Sequence, residues 1–550
     1  MPTISFDKKD LIELIGKKID EEELLYCIRQ FKGEVKSFSN EEITIELEPD
    51  RPDLFSIEGL ARAIKGYLGI EKGLHKSALM KIDNSNISIK IINAKLRPFV
   101  ASAIVRNIKF TDKSIKSLMN TQEALNETIG RGRRKVAIGI HDFDKIEPPI
   151  YYSDAPSNFK IIPLDFYEEM TLEEVLYKHP KGIKFKHLLN GKSFPIYYDK
   201  LGIFSFPPII NSERTRVTEK TKNIFIEITG TDDLAVKQTL NILVTDLIDR
   251  GGLIQKVKIE GKRKYTTPDL KPKKHIIKVD DVNNLIGLKL TSIKIKNLLK
   301  RMRYGIGKIY SNKIEVLYPA YRIDILHSVD IIEDIAIAYG YDKLIPELPK
   351  ISTIGSLSLI EKEESKIRQV LIGLGFQEIR TFTLSNEKIQ AKLMNLNSLD
   401  LIEIENPVTI ELNCFRRWIT PHLMNFLSIN KHVKYPQRIF EIGYVAFPDE
   451  KFENKVRTLR NTAVVIASSE TNFSEIKSVL EAFASLLGWN IELIEENYPY
   501  YINGRSVKII KDGKEIGFMG EIHPQILNNF ELEVPVTSFE ITHGVSNFLP

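Results

Sequence analysis

Two cysteines in 550 residues, Cys27 and Cys414, are too few for a disulfide framework, and neither stands in a C-x-x-C pair. The ten histidines are scattered, with no H-x-x-H or H-E-x-x-H, which excludes the common zinc signatures. No stretch approaches the roughly 18–20 unbroken apolar residues of a membrane-spanning helix. The opening MPTISFDKKDLIELIG puts charges where a secretory signal needs its apolar stretch. A cytoplasmic protein with no membrane partner is therefore expected. What remains is a chain with 43% hydrophobic and 27% charged residues, an ordinary folding composition. At about one domain per 100–200 residues its length calls for three to five units.

The net charge of +5 says little, but its distribution says more. Between Lys256 and Lys313 there are 17 Lys and Arg against four acids, so this stretch carries +13 and the remainder −8. A belt of that kind is an electrostatic footprint for a phosphate backbone, although charge runs also serve simply to solvate a helix face or linker.

A weak duplication organises the chain. Asp10, Leu14, Ile15, Gly16 and Lys18 fall on Asp281, Leu285, Ile286, Gly287 and Lys289 at a shift of 271, and Arg51 and Asp53 fall on Arg322 and Asp324 at the same shift. After a four-residue insertion, Glu58 and Ala61 fall on Glu333 and Ala336. Each copy reads as helix, Gly turn, helix, Gly, strand, Pro turn, R-x-D and helix, one supersecondary unit used twice. Between the copies, strand-like runs such as FVASAIVRNI, VAIGIHDF and IFIEIT alternate with helical ones, and LAVKQTLNILVTDLIDRGG is helical with a Gly pair as its stop. TTPDLKPKKH, with two prolines, reads as a linker, and PELPKISTIG as a second. Beyond it, LIEKEESKIRQVLIGLGF and four strand-like runs predict a mixed, largely antiparallel α/β module.

Three stretches carry a family resemblance: ELEPDRPDLFSIEGLARAI, YPAYRIDILHSVDIIEDIAIAYGYDKL, and RIFEIG followed by GFMGEIHPQIL. In this order and spacing the chain resembles the β subunit of phenylalanyl-tRNA synthetase over nearly its whole length. Its early block closes by about residue 75 and it ends soon after GEIHP, which resembles the archaeal/eukaryotic type. The resemblance implies a multidomain α/β and α+β fold. Two small helical/strand units would occupy 1–75 and 268–348, the second with the basic belt. An α/β editing and tRNA-binding domain would occupy 76–262, and 352–550 would form a class II synthetase-like antiparallel-sheet module lacking catalysis. Implied too are ATP as the holoenzyme's substrate, a tetramer of two α and two β subunits, tRNA(Phe) as partner, and a synthetic site on the α subunit.

Three constellations follow. Asp330, Glu333 and Asp334 stand at i, i+3 and i+4, so one helical face presents three carboxylates, with Asp324 arriving from the preceding turn. Crowded hard oxygens suit Mg²⁺, although acids in a first turn are also stabilised by the helix dipole alone. The resemblance implies an Mg²⁺ site at these four positions, shared with the α subunit, where Asp334 replaces the usual glutamate. In the α/β unit, Ser205, Asn211, Glu227 and Thr229 match the family's editing positions, with Glu227 where an aspartate is usual. Editing answers a physical need, since an apolar pocket rejects an added hydroxyl by only about 10²-fold. Glu227 and Thr229 alternate on one strand and point to one face; the residues alone equally fit ordinary strand positions. Finally, Arg438 and Glu441 resemble the Arg-x-x-Glu core of a class II synthetase motif, but no arginine follows GEIHP to stack on ATP. A catalytic fold without catalysis is expected there. Two rivals remain: a stand-alone RNA-binding protein built on the repeats, and a free-standing trans-editing deacylase using residues 76–262.

Overall fold

The computed structural model describes residues 2–189, 191 and 193–545. The chain divides into two compact units, Met1–Glu347 and Leu348–Pro550. Among the described residues no helix is long and apolar enough to cross a membrane.

Both repeat copies lie in the first unit. The first runs through the strand Thr3–Asp7, helices Lys8–Ile15 and Glu21–Gln30, strands Glu34–Phe38 and Glu42–Glu46, and helix Ile57–Tyr67. The second runs through Lys273–Lys278, Val279–Ile286, Ser292–Arg301, Gly305–Ile309, Lys313–Tyr318 and Ser328–Tyr339 in the same order. In each, three antiparallel strands pair with the last in the middle. Gly16 and Gly287 end the first helix of their copies in the left-handed region, at φ 70° and 78°. The opening strand of each copy was not anticipated from sequence. Thr3–Asp7 is short and polar at alternate positions, yet Ile4 and Phe6 reach the core. Strands take both ends of the expected linker TTPDLKPKKH: Lys264–Thr267 closes a hairpin on Leu253–Glu260, and Lys273 begins the second copy's sheet. Prolines at 268 and 272 leave only the short gap between.

The copies share one core, and Arg301 joins their last helices. Its Nε donates to the Tyr67 carbonyl at 2.8 Å and its Nη1 to the Ala338 carbonyl at 2.7 Å. One guanidinium therefore satisfies a C-terminal carbonyl of each helix, where the negative end of the dipole favours a cation. Gly66 permits the approach, because a Cβ there would lie 2.4 Å from the Arg301 carbonyl oxygen. Other members of the basic belt, among them Lys262, Arg263, Lys264, Lys273, Lys274, Lys278 and Lys294, are exposed.

Between the copies, a ten-stranded sheet has Asp83–Asn93 parallel to both its neighbours and antiparallel pairing elsewhere. Strand Ile224–Gly230 lies between Phe99–Arg106 and Val136–Asp142, and both it and Val136–Asp142 are buried at every residue. Helix Asp233–Asp249 covers Phe99–Arg106 and Ile224–Gly230. Its Val236, Leu240 and Leu243 bury the apolar stripe that the periodicity predicted.

The second unit is a seven-stranded sheet, antiparallel except where Gln377–Glu378 joins Gln437–Pro448. Helices Leu359–Gly373 and Phe473–Leu487 pack with Phe440, Val464 and Phe539 in one core. Helix Thr420–Ile429 packs with Ile439, Val465 and Tyr500 in another. Alternation along the sheet's long strands thus feeds two cores.

Candidate active site

A carboxylate in the middle of a fully buried strand is the least expected residue in the first unit. Glu227 is 2% exposed, paired in register with Ser102 on one neighbouring strand and Gly139 on the other. An unpaired charge so placed would cost several kcal/mol, so such carboxylates have partners or a function. The side chain forms part of the wall of an open cavity of about 320 Å³, together with Ser205, Asn211, Arg133 and the loop at Pro207 and Pro208. The Ser205 hydroxyl donates to Glu227 Oε1 at 2.8 Å, while Oε2 is buried with no hydrogen-bond partner. A buried carboxylate that lines a cavity and keeps one oxygen without a partner in the protein suits a donor brought by a ligand.

The backbone makes room for it. A Cβ on Gly139 would lie 2.3 Å from Glu227 Oε1 and 2.9 Å from His141 Nε2, so only glycine admits the carboxylate there. His141 is fully buried; Nδ1 lies 2.9 Å from the Thr215 hydroxyl, and Nε2 lies 3.9 Å from Glu227 Oε1 without a hydrogen bond. Ser205 and Asn211 face each other across a short hairpin, and Asn211 Nδ2 donates to the Ile140 carbonyl at 3.2 Å. Arg133 anchors the loop beside them: Nη1 donates to the carbonyls of Pro208 and Ile209, Nη2 to Glu123, and the guanidinium lies over Phe185. Gly139, His141 and Arg133 were not singled out from sequence. A Gly and a His inside an otherwise apolar strand were the available signal.

Thr229 departs from expectation. It is fully buried and absent from the cavity wall, because Arg97 occupies it: Nε donates to Oγ1 at 3.1 Å and Nη2 to the carbonyl at 2.8 Å. Arg97 also reaches the carbonyls of Arg133 and Arg134, so this contact braces the strand to the cavity's anchoring arginine.

The four acids of the second copy do not converge on one point. Arg322 grips Asp324 through Nε and Nη2 at 2.9 and 2.6 Å, and Nη2 lies 2.7 Å from Asp334, which also accepts from the Tyr304 hydroxyl at 2.5 Å. Arg51 stands 3.9 Å from Asp324 and grips Asp53 in the same bidentate way, so the R-x-D pair recurs in both copies. Burial alone would raise the Asp324 pKa, but Arg322 outweighs burial and the carboxyl is held below its usual range. Asp330 turns back on its own helix start, accepting the backbone N–H of Leu326 and His327 at 2.7 Å each. Glu333 pairs with Lys32 of the first copy at 2.7 Å. Among the described residues no group of three or more His, Cys, Asp or Glu could hold a metal. The expected four-carboxylate Mg²⁺ site is therefore not formed by this chain as it stands. Two arginines, a lysine and a helix start neutralise the charges that a cation was expected to join, and Mg²⁺ needs unencumbered oxygens in near-octahedral array.

Comparison with known proteins identifies the family. Residues 345–543 match the phenylalanyl tRNA synthetase beta chain CLM domain, 276–341 the tRNA synthetase B5 domain and 96–245 the B3/4 domain. A phenylalanine–tRNA ligase beta subunit of Methanocaldococcus jannaschii is 43% identical over 549 residues, covering 98% of this chain and all of that one. The chain belongs to the phenylalanine–tRNA ligase β-subunit family. The Pyrococcus furiosus beta subunit is 41% identical, covering 98% of this chain and 99% of its own. A crystal structure of an N-terminal fragment of the Pyrococcus horikoshii beta subunit matches with TM-score 0.59 and 42% identity, over 62% of this chain and all of the fragment. As a phenylalanine–tRNA ligase β subunit, the chain is part of an aminoacyl-tRNA synthetase. The Glu227 cavity falls within the B3/4 match and the four acids within the B5 match.

In the CLM match, Arg438 and Glu441 do not serve one site. Arg438 pairs with Glu475 at 2.5 Å, whereas Glu441, 1% exposed, accepts from Arg416 Nη1 and the Thr381 hydroxyl at 2.7 Å each. The odd spacing on strand Gln437–Pro448 separates them onto opposite faces.

Proposed function

We propose that this chain serves a phenylalanine–tRNA ligase of two α and two β subunits as its assembling and proofreading subunit, hydrolysing tyrosine wrongly attached to tRNA(Phe). The carrying observation is Glu227: a buried carboxylate on the wall of an open cavity, one oxygen held by Ser205 and the other unpartnered. A tyrosyl hydroxyl supplies the missing donor; phenylalanine offers nothing in its place. Ser205 orients the carboxylate, and Asn211 lies on the same wall to position the ester or a water. Thr229 acts at one remove, by holding Arg97.

The exposed lysines and arginines between 256 and 313 suit contact with the tRNA backbone. ATP, phenylalanine and the Mg²⁺ of the synthetic reaction belong to the α subunit in this reading, and the enzyme works in the cytoplasm. The acids Asp324, Asp334 and Glu333 then join the two repeats through Arg51 and Lys32, Arg322 holds Asp324 and Asp334 within the second copy, and Asp330 starts the helix.

A charge-assisted hydrogen bond is worth roughly 1.5–3 kcal/mol, or about 10–150-fold in discrimination. Tyrosine-charged tRNA(Phe) should be deacylated by the wild-type holoenzyme and at least about tenfold more slowly by Glu227→Ala, with phenylalanine charging retained. Equal deacylation rates would remove Glu227 from the mechanism.

A further inference from the structure

A second cavity of about 320 Å³ lies within the C-terminal unit, and the proposed proofreading leaves it unused. Four aromatic rings and three aliphatic side chains line it. The Trp418 ring lies 4.8 Å from Tyr500 and 5.7 Å from Phe518, Tyr500 lies 5.5 Å from Phe518, and Phe447 adds a fourth face. Aromatic faces in this arrangement stack on a ring and attract a cation.

Two charges of opposite sign share the same wall. Glu515, on strand Lys514–Ile522, is exposed, and its carboxylate has no ion-pair or hydrogen-bond partner among the described residues. Its charge reaches the neighbouring tyrosines: burial first, then Glu515, pushes the Tyr498 hydroxyl up to about 12. Arg417 stands over Phe447 at 4.8 Å and commits Nη1 to the Asp400 carbonyl at 2.8 Å. A guanidinium carries five N–H donors, so most remain to meet a carboxylate. By contrast, the buried Glu540 is fully engaged by Ile419, Thr420 and Asn461. The volume is at the lower end of small-molecule sites, which run from about 300 to 1,000 Å³, and suits one amino acid better than a nucleotide.

We infer that this cavity binds a free aromatic α-amino acid, with its ring against the cluster of Trp418, Tyr500 and Phe518, its ammonium on Glu515 and its carboxylate on Arg417. The zwitterion matches the two charges, and the ring matches the walls. The inference rests on the C-terminal unit alone and stands or falls independently of editing at Glu227.

The chain carries its own reporter. It has two tryptophans, and Trp489 lies outside the cavity wall, packed on Phe483 at 5.6 Å with Lys511 over its ring. In the full chain with Trp489→Phe, L-phenylalanine should change Trp418 fluorescence saturably, and L-alanine should not. Wild-type emission, in which Trp489 supplies a constant background, gives the same titration should that variant misfold. Glu515→Gln and Arg417→Met should each weaken L-phenylalanine by at least about tenfold, the loss of one charge-assisted contact. Phenethylamine, which lacks the carboxylate, should respond to Glu515→Gln but not Arg417→Met; 3-phenylpropionate should show the reverse. Glu227→Ala should bind as the wild type does, separating this site from the first cavity. No saturable signal, or equal affinity in Glu515→Gln and the wild type, would overturn the proposal.

Discussion

Adding one methyl group at Gly139 should silence editing without replacing any residue assigned to the mechanism. The new Cβ would lie 2.3 Å from Glu227 Oε1, where ordinary contact begins at 3.4 Å. The carboxylate must therefore retreat by about 1 Å, because the strand carrying Gly139 is hydrogen-bonded along its length to the strand carrying Glu227. The retreat breaks the 2.8 Å bond from Ser205 and moves the free oxygen relative to the substrate. A misplacement of about 1 Å costs on the order of 10²-fold in rate. Gly139→Ala should thus lower deacylation of tyrosine-charged tRNA(Phe) by about 100-fold, at an overpacking cost of roughly 1–3 kcal/mol in stability. Aminoacylation with phenylalanine should continue, since that site is assigned to the other subunit. The shorter acid of Glu227→Asp, combined with Gly139→Ala, should recover part of the loss by withdrawing the carboxylate one methylene. Deacylation at the wild-type rate by folded Gly139→Ala would refute the reasoning, as would a double variant no better than the single.

Replacing Arg322 with Met leaves the part-buried Asp324 and buried Asp334 without their shared cation, and should cost about 3–5 kcal/mol in denaturant unfolding. A loss below about 1 kcal/mol would mean that Arg51 and Tyr304 suffice. Calorimetric titration of the isolated chain with Mg²⁺ should show no binding that Asp330→Ala or Glu333→Ala abolishes, and a site lost in either variant would restore the four-acid metal centre. Asp249 is half-buried, and its desolvation would raise its pKa, but Arg62 and His75 outweigh that and hold it at about 2, below the ordinary 3.8. A depressed carboxyl stabilises the fold above about pH 3.8 and loses that contribution as pH falls through 2, here about 2 kcal/mol. Unfolding free energies measured from pH 5 to pH 2 should therefore fall more steeply for the wild type than for Asp249→Asn, and parallel curves would contradict the pairing.

Local signals carried far in the repeats and stopped short at the sites. Gly16 and Gly287 mark helix ends because a left-handed turn favours glycine whatever surrounds it. The R-x-D pairs hold because two residues of spacing bring both side chains together within one turn. The first strand of each copy escaped notice because its partner is the last strand, more than 30 residues on. Polar alternation over five or six residues says little until that partner is known.

The sequence alone determined the family, the duplication, most helices of the repeats and the candidate identities of Ser205, Asn211 and Glu227, because order, periodicity and motif spacing are properties of the chain itself. Only the tertiary structure decided what each charge meets. It gave Thr229 to Arg97, divided the four acids among Arg322, Lys32 and a helix start, and seated Glu227 against the gap at Gly139 with its other oxygen unpartnered. Partners separated by up to 301 residues in sequence, as Lys32 and Glu333 are, leave no trace in local spacing. Coulombic and hydrogen-bond energies depend on distances of a few ångströms and on burial, and the folded packing alone fixes both.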